Sequence, residues 1–222
     1  MVTRALDVVL LGPPGAGKGT QARRLAEAYA LLHVSTGDLL RDEVARGTAP
    51  GLEAKAFMNR GELVPDEVVG RMLLKRLHSQ QASAGCVYDG YPRTTAQAHL
   101  LDGLLAELNR RIDVALFLDV PDEELVTRMA GRRSCPACGS VYHLTAHPPK
   151  DGSNCDSCGS GLVLRDDDHD DAIRERLRVY KAATAPLLDL YRGRGILREI
   201  VGTGTPEQVH GRLRDGMRSV KR

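Results

Sequence analysis

The chain of 222 residues has no tryptophan and only two phenylalanines. Its core must therefore be built mostly from leucine, valine, alanine and isoleucine. Charge of one sign is also missing, since 31 Lys and Arg against 29 Asp and Glu leave a net +2. So small an excess argues against a general nucleic-acid binder, whose surface is far more basic. No apolar stretch approaches the roughly 20 residues that a membrane-spanning helix needs, so no membrane partner is expected. Met1-Val2-Thr3-Arg4 runs directly into the first strand, leaving no room for a signal peptide. A cytoplasmic location follows as the expectation. The hydrophobic share of 42% still suffices for the core of one large α/β domain. Five cysteines in such a compartment point to metal or structural thiols before disulfides.

One stretch organises the rest: Gly12-Pro13-Pro14-Gly15-Ala16-Gly17-Lys18-Gly19-Thr20. It follows the apolar run Val8-Val9-Leu10-Leu11. It precedes Ala22, Leu25, Ala26 and Tyr29, spaced as one face of a helix. Strand, glycine loop and helix form the setting of a Walker A phosphate loop. Glycines there let backbone N–H groups approach phosphate at the positive end of the helix. Lys18 adds a point charge for the outer phosphates. Gly19 stands where Ser or Thr usually holds magnesium, which leaves the ion to phosphates and water.

Elsewhere strands and helices alternate. Leu31–Val34, Cys86–Tyr88, Val114–Leu118 and Ile196–Val201 read as strands, the third bounded by Asp113. Helical spacing fills the stretches after them, with Leu100, Leu101, Leu104, Leu105 and Leu108 as one apolar set. Helical spacing resumes near Ala172 and runs to about Tyr191, and the tail from Pro206 is helical. The pattern predicts an α/β fold with a central parallel sheet covered by helices on both faces. Ligands in such sheets lie beyond the carboxyl ends of the strands, where the glycine loop and Asp89 fall.

Helical period is lost from 133 to about 165. There Cys135-Pro136-Ala137-Cys138 and Cys155-Asp156-Ser157-Cys158 form two knuckles, with Gly139 and Gly159 after them. This spacing matches a zinc ribbon, and four thiolates make the site structural. Cys86, inside a strand, reads as an inert buried thiol. His143 and His147 are weak ligand candidates because four cysteines complete the set.

Seven cations are placed for phosphate chemistry: Lys18, Arg41, Arg93, Arg128, Arg132, Arg165 and Arg176. Guanidinium forks bind phosphate oxygens in pairs and stay charged. Arg132 and Arg165 bracket the cysteine insertion, which could swing them onto a substrate. Arg133, Arg174 and Arg178 read as surface residues. Asp166-Asp167-Asp168 reads as a cap for the next helix and as a partner for nearby arginines.

Together these motifs resemble the adenylate kinase family over nearly the whole chain. Gly12–Thr20 resembles its phosphate loop, including the Gly-Thr after lysine. Ser35-Thr36-Gly37-Asp38-Leu39-Leu40-Arg41, Gly61–Asp66 and Asp89–Arg93 match further motifs, and the cysteine insertion resembles the zinc-bearing lid of the long bacterial form. The resemblance implies a single P-loop kinase domain over 1–222 with two mobile insertions, an AMP-binding one at 35–64 and a zinc-binding lid at 131–168. It implies phosphoryl transfer from Mg-ATP to AMP by a monomer. ATP would be held by Gly15, Ala16, Gly17, Lys18, Gly19, Thr20, Arg128, Arg132, Val141, Tyr142 and Gly204. AMP would be held by Thr36, Arg41, Glu62, Leu63, Val64, Gly90, Tyr91, Pro92, Arg93, Gln97, Arg165 and Arg176. Lys18, Arg93, Arg132, Arg165 and Arg176 would be catalytic, and Asp38 and Asp89 would hold Mg2+ through water. Structural Zn2+ would take Cys135, Cys138, Cys155 and Cys158. One departure stands in the lid: Ala146-His147 precede Pro148-Pro149-Lys150 where the family often has Phe-Asn. A kinase for CMP, UMP or GMP is the near alternative, against which Thr36 speaks. A P-loop ATPase with a nucleic-acid-binding zinc ribbon is the distant one.

Overall fold

Five short apolar runs become one parallel sheet in the computed structural model, which describes residues 4–218 and 220. In chain order the elements are β1 (Asp7–Leu11), α1 (Lys18–Tyr29), β2 (Leu32–Ser35), α2 (Thr36–Ala45), α3 (Ala49–Asn59), α4 (Asp66–Leu77), β3 (Cys86–Asp89), α5 (Thr95–Glu107), β4 (Ile112–Asp119), α6 (Asp122–Ala130), β5 (Arg132–Ser134), β6 (Val141–His143), α7 (Asp170–Val179), α8 (Pro186–Gly193), β7 (Leu197–Val201) and α9 (Pro206–Met217). The strand order is β2-β3-β1-β4-β7, and every neighbouring pair is parallel. The chain leaves β1 toward one edge through β2 and β3, then crosses to β4 on the other side. That reversal opens a crevice at the carboxyl end of β1, the usual ligand position in such sheets. β5 and β6 form a separate antiparallel hairpin.

Alternation along the strands divides the core between the two faces, as expected for a covered sheet. Val9, Leu11, Tyr88 and Ala115 face a cluster with Val68, Leu73, Leu101, Leu105, Leu187 and Tyr191. Val8, Leu10, Val87, Val114 and Leu116 face Ala22, Leu25, Leu125, Met129 and Leu213. The scarcity of Phe and Trp is met by leucine and by three fully buried tyrosines, Tyr88, Tyr91 and Tyr191.

Four local expectations change. Asp113 does not bound its strand but sits inside β4, where its carboxylate accepts the Asp7 N–H at 2.9 Å and pairs with Arg4. Leu100 lies off the buried stripe of α5 and is exposed. The run to Tyr191 is not one helix, for a π-helical turn at Tyr180–Thr184 separates α7 from α8. Pro186 begins α8, and a proline cannot continue the preceding ladder, so the break falls just before it. Asp166–Asp168 forms a 3-10 turn and does not cap α7, whose N-cap is His169 with no side-chain hydrogen bond. Met1, Val2 and Thr3, read as leading into the first strand, lie outside the described residues.

Candidate active site

The phosphate loop is shaped as much by its neighbours as by any ligand. Gly12 and Gly15 have φ of +148° and +85°. A Cβ on Gly12 would stand 3.0 Å from the Leu118 carbonyl oxygen, and one on Gly15 2.9 Å from that of Leu125. These glycines let the loop lie directly on β4 and α6. Gly17 is the N-cap of α1, which has no side-chain cap and no acidic residue in its first turn. The positive end of the helix is therefore uncompensated at the crevice. Lys18 curls back over the loop and donates from Nζ to the carbonyl oxygens of Gly12 and Pro13, at 2.7 and 2.9 Å. Burial pulls its pKa down to about 7; Asp89 opposes this, while Arg93, Arg176 and Arg132 add to it.

Across the crevice, the turn after β3 is tied to the start of α2. The Thr36 hydroxyl donates to the Gly90 carbonyl at 2.9 Å, and Arg93 Nε donates to the same oxygen at 2.8 Å. Gly90 has φ of +76°, and Tyr91 and Pro92, joined by a cis peptide, are buried behind it. Gln97 is 3% exposed; its Oε1 accepts the Arg93 N–H at 2.7 Å and its Nε2 donates to Asp66 at 2.5 Å. One N–H and one lone pair of that amide remain for a ligand. Val64 is buried nearby, Leu63 is half-buried, and Glu62 pairs with Arg60 at 2.7 Å. Asp38 pairs with Arg41 at 2.6 Å. Burial raises the Asp38 pKa, but Arg41, Arg23 and Arg165 hold it down to about 2.

Six of the seven cations converge. Arg132 clasps Asp168 through two nitrogens, the Nε contact at 2.6 Å. Arg176 Nη1 donates to Asp168 at 2.9 Å and to the Asp167 carbonyl at 3.0 Å. Arg165 Nε donates to the Ser134 hydroxyl at 2.7 Å. Burial, then Arg41 and Arg132, lowers the Arg165 pKa to about 9; burial, then Arg176, lowers that of Arg93 to about 10. Arg176 is held down by burial and by Arg132, whereas Asp168 raises Arg132 against the effect of its burial. Among the described residues, the acids that act most strongly on Lys18, Arg41, Arg93, Arg132, Arg165 and Arg176 are Asp38, Asp89, Asp167 and Asp168. The surplus positive charge fits a polyanion. Arg128 is placed elsewhere, on Glu124 and on the Gly202 carbonyl at 3.1 Å, beside the loop that carries Gly204.

Asp89 is buried at the end of β3, with Oδ2 3.4 Å from His33 Nε2. A Cβ on Gly19 would stand 3.4 Å from the same oxygen. The carboxylate thus reaches the place that a Walker A hydroxyl would serve. His33 escaped sequence reasoning because its position in β2 carries no motif. Arg23, beside Asp38, escaped it too, since nothing in its spacing separates it from a surface arginine.

The four knuckle cysteines come together, their sulfurs all within 4.8 Å of one another, and none is in a disulfide. Cys135–Cys158 and Cys138–Cys155 sulfurs are 3.4 and 3.5 Å apart. A tetrahedral ion with metal–sulfur bonds of about 2.3 Å needs sulfurs roughly 3.8 Å apart, so the donor set fits. Gly139 and Gly159, at φ of +73° and +76°, donate back to the Cys135 and Cys155 carbonyls and close each knuckle. Tyr142 belongs to this cluster. It is buried, stacks on His147, and places its hydroxyl 3.5 Å from Cys155 Sγ while accepting the Asp156 N–H at 2.9 Å. Val141 precedes it on β6, half-buried. His143 bonds to Thr127 and Thr145 backbone atoms. Cys86 is fully buried and far from this group in sequence, with its pKa raised by burial.

The family model described as Adenylate kinase matches residues 10–196. The chain is 51% identical over 204 residues to an adenylate kinase of Archaeoglobus fulgidus, covering 92% of this chain and 94% of the relative. An adenylate kinase of Thermodesulfovibrio yellowstonii is also 51% identical over 204 residues, covering 92% and 95%. One from Syntrophobacter fumaroxidans is 46% identical over 208 residues, covering 94% and 98%. Phosphate loop, crowded arginines and four-cysteine unit all lie within the matched length, so the chain is a nucleoside monophosphate kinase and belongs to the adenylate kinase family.

Proposed function

We propose that the chain transfers the γ-phosphoryl group of Mg-ATP to AMP, reversibly, giving two ADP. The convergence of Lys18 with five arginines at the crevice carries this reading, because two nucleotides bring many negative charges to one place. An AMP phosphate oxygen attacks the γ-phosphorus and the bond to the β–γ bridging oxygen breaks, leaving ADP on each side. No side chain need act as a nucleophile, so catalysis is positioning and charge stabilisation. Gly15 to Thr20 hold the ATP phosphates with Lys18, while Arg128 and the Gly204 backbone take the adenine end. Thr36, Arg41, Arg93 and Gln97 hold AMP, with Glu62 to Val64 lining its base. Arg132, Arg165 and Arg176 span the transferring group. Magnesium, when bound with ATP, would supply charge neutralisation, and Asp38 and Asp89 would hold it through water.

Residues 35–64 and 131–168 act as the two moving units in this reading, the second folded around zinc. The free thiols suit a reducing cytoplasm, and no helix among the described residues is long and apolar enough to cross a membrane. A monomer suffices, since one chain supplies every group named. ADP formation from Mg-ATP with AMP, CMP, UMP and GMP in parallel, beside ATP alone, tests the assignment. Strong preference for AMP is expected. Turnover of another monophosphate would move the specificity, and phosphate release without any monophosphate would overturn the reaction. Metal analysis should return about one zinc per chain.

A further inference from the structure

Arg23 has no part in the chemistry above, yet its guanidinium joins three segments. It lies on α1, a little over one turn beyond Lys18. Its Nη2 is 3.5 Å from Asp38 Oδ2 at the start of α2. A Cβ on Gly139 would stand 3.0 Å from the same Nη2. The guanidinium therefore rests against the turn that closes the first cysteine knuckle, next to the exposed Cys138. The side chain is 39% exposed, so its placement is not explained by filling a core.

Electrostatics gives the contact a direction. Four thiolates around one divalent ion leave a net dianion. With such an ion bound, Arg23 would have negative charge on two sides, Asp38 and the metal–thiolate centre, only while the cysteine unit lies down on α1. Lifting the unit leaves it with Asp38 alone. We propose that Arg23 is a positioning residue that holds the 131–168 unit closed over the phosphate loop, through the Gly139 turn and attraction to the metal–thiolate centre. This rests on reading that unit as a lid. A half-exposed cation makes a weak latch, as a lid that must open in every turnover requires.

Fluorophores on unnatural side chains at the exposed positions Lys150 and Gln81 would report closure without touching the cysteines. In the zinc-loaded parent, a non-hydrolysable ATP analogue should shorten the distance. Arg23→Gln should lower the closed fraction and raise KM for ATP, each by roughly two- to fivefold, without lowering kcat. Arg23→Lys should restore most of both, and high salt should narrow the gap between parent and Arg23→Gln. Equal closure and equal KM in parent and Arg23→Gln would overturn the latch and leave the lid reading standing. A lower kcat at unchanged closure would also overturn it, moving the role to the Asp38 contact. No closure in the parent would overturn the lid reading and the latch with it.

Discussion

Two aspartates are fully buried at opposite ends of the same fold, and arginines hold both. At the amino end, Asp7 opens β1 and is clasped by Arg110 at 2.5 and 2.9 Å, with the Tyr88 hydroxyl donating at 2.8 Å. Near the carboxyl end, Asp168 is clasped by Arg132 and Arg176. The charge around them differs. Burial opposes the Arg110 charge, but the Asp7 carboxylate more than offsets it and raises the pKa above that of ordinary arginine. Its remaining donors go to the Ala82 carbonyl and Cys86 Sγ. Around Asp168, by contrast, Lys18, Arg93, Arg165 and Arg176 are all held below their ordinary values. A balanced pair braces the fold, whereas a surplus of one sign is tolerated where a ligand of the other sign completes it.

This contrast can be broken by experiment. The largest effect is expected at the brace: Arg110→Ala leaves Asp7 buried and unpaired, which costs about 3–5 kcal/mol. Thermal or denaturant unfolding should show that loss, with turnover of the folded fraction retained. A loss under 1 kcal/mol would remove the brace from the comparison. At the other end the effects should reverse. Arg93→Ala and Lys18→Ala should each lower turnover by about one to two decades, the worth of a charged hydrogen bond felt in the transition state. Their unfolding midpoints should stay level or rise, because each relieves crowding among cations. Near-normal turnover in either would sink its assigned role.

The cysteine unit offers a third comparison, with its own second layer of contacts. Tyr142→Phe removes the hydroxyl between Cys155 and Asp156 and should weaken metal retention about 10- to 100-fold in competition with a chelator. Unchanged retention would reduce Tyr142 to packing against His147.

The smallest effect is a proton. With Lys18 near pKa 7, raising pH from about 7 empties its charge in the free protein. The unfolded chain keeps an ordinary lysine at 10.5 and binds more protons over that interval. Its contribution to stability therefore rises with pH between about 7 and 10.5. Phosphates restore the charge, so ATP binding near pH 8 should take up a fraction of a proton. Calorimetry in buffers of different ionisation enthalpy reads this directly, and Lys18→Ala should abolish the Lys18 share of it.

Much of this molecule was legible as a string. Apolar runs and glycine loops repeat on fixed spacings that short-range sterics and burial dictate, so sheet, phosphate loop and knuckles could be located by counting. CxxC pairs point to a candidate metal site because two thiols at that spacing can reach one ion. Details that depend on partners distant in the chain stayed hidden. Asp113 inside β4 and the exposed Leu100 each reflect which neighbour the fold supplies.

The sequence by itself determined which residue types were available to bind phosphate and metal, since local spacing fixes helix, strand and turn. Only the tertiary structure decided that six of seven cations share one crevice while Arg128 stands apart. It alone set Tyr142 on the cysteines, Asp89 beneath Gly19 and Arg23 against Gly139. Charge surplus and desolvation are properties of a volume, and residues far apart in the chain enter that volume only when the sheet brings them there.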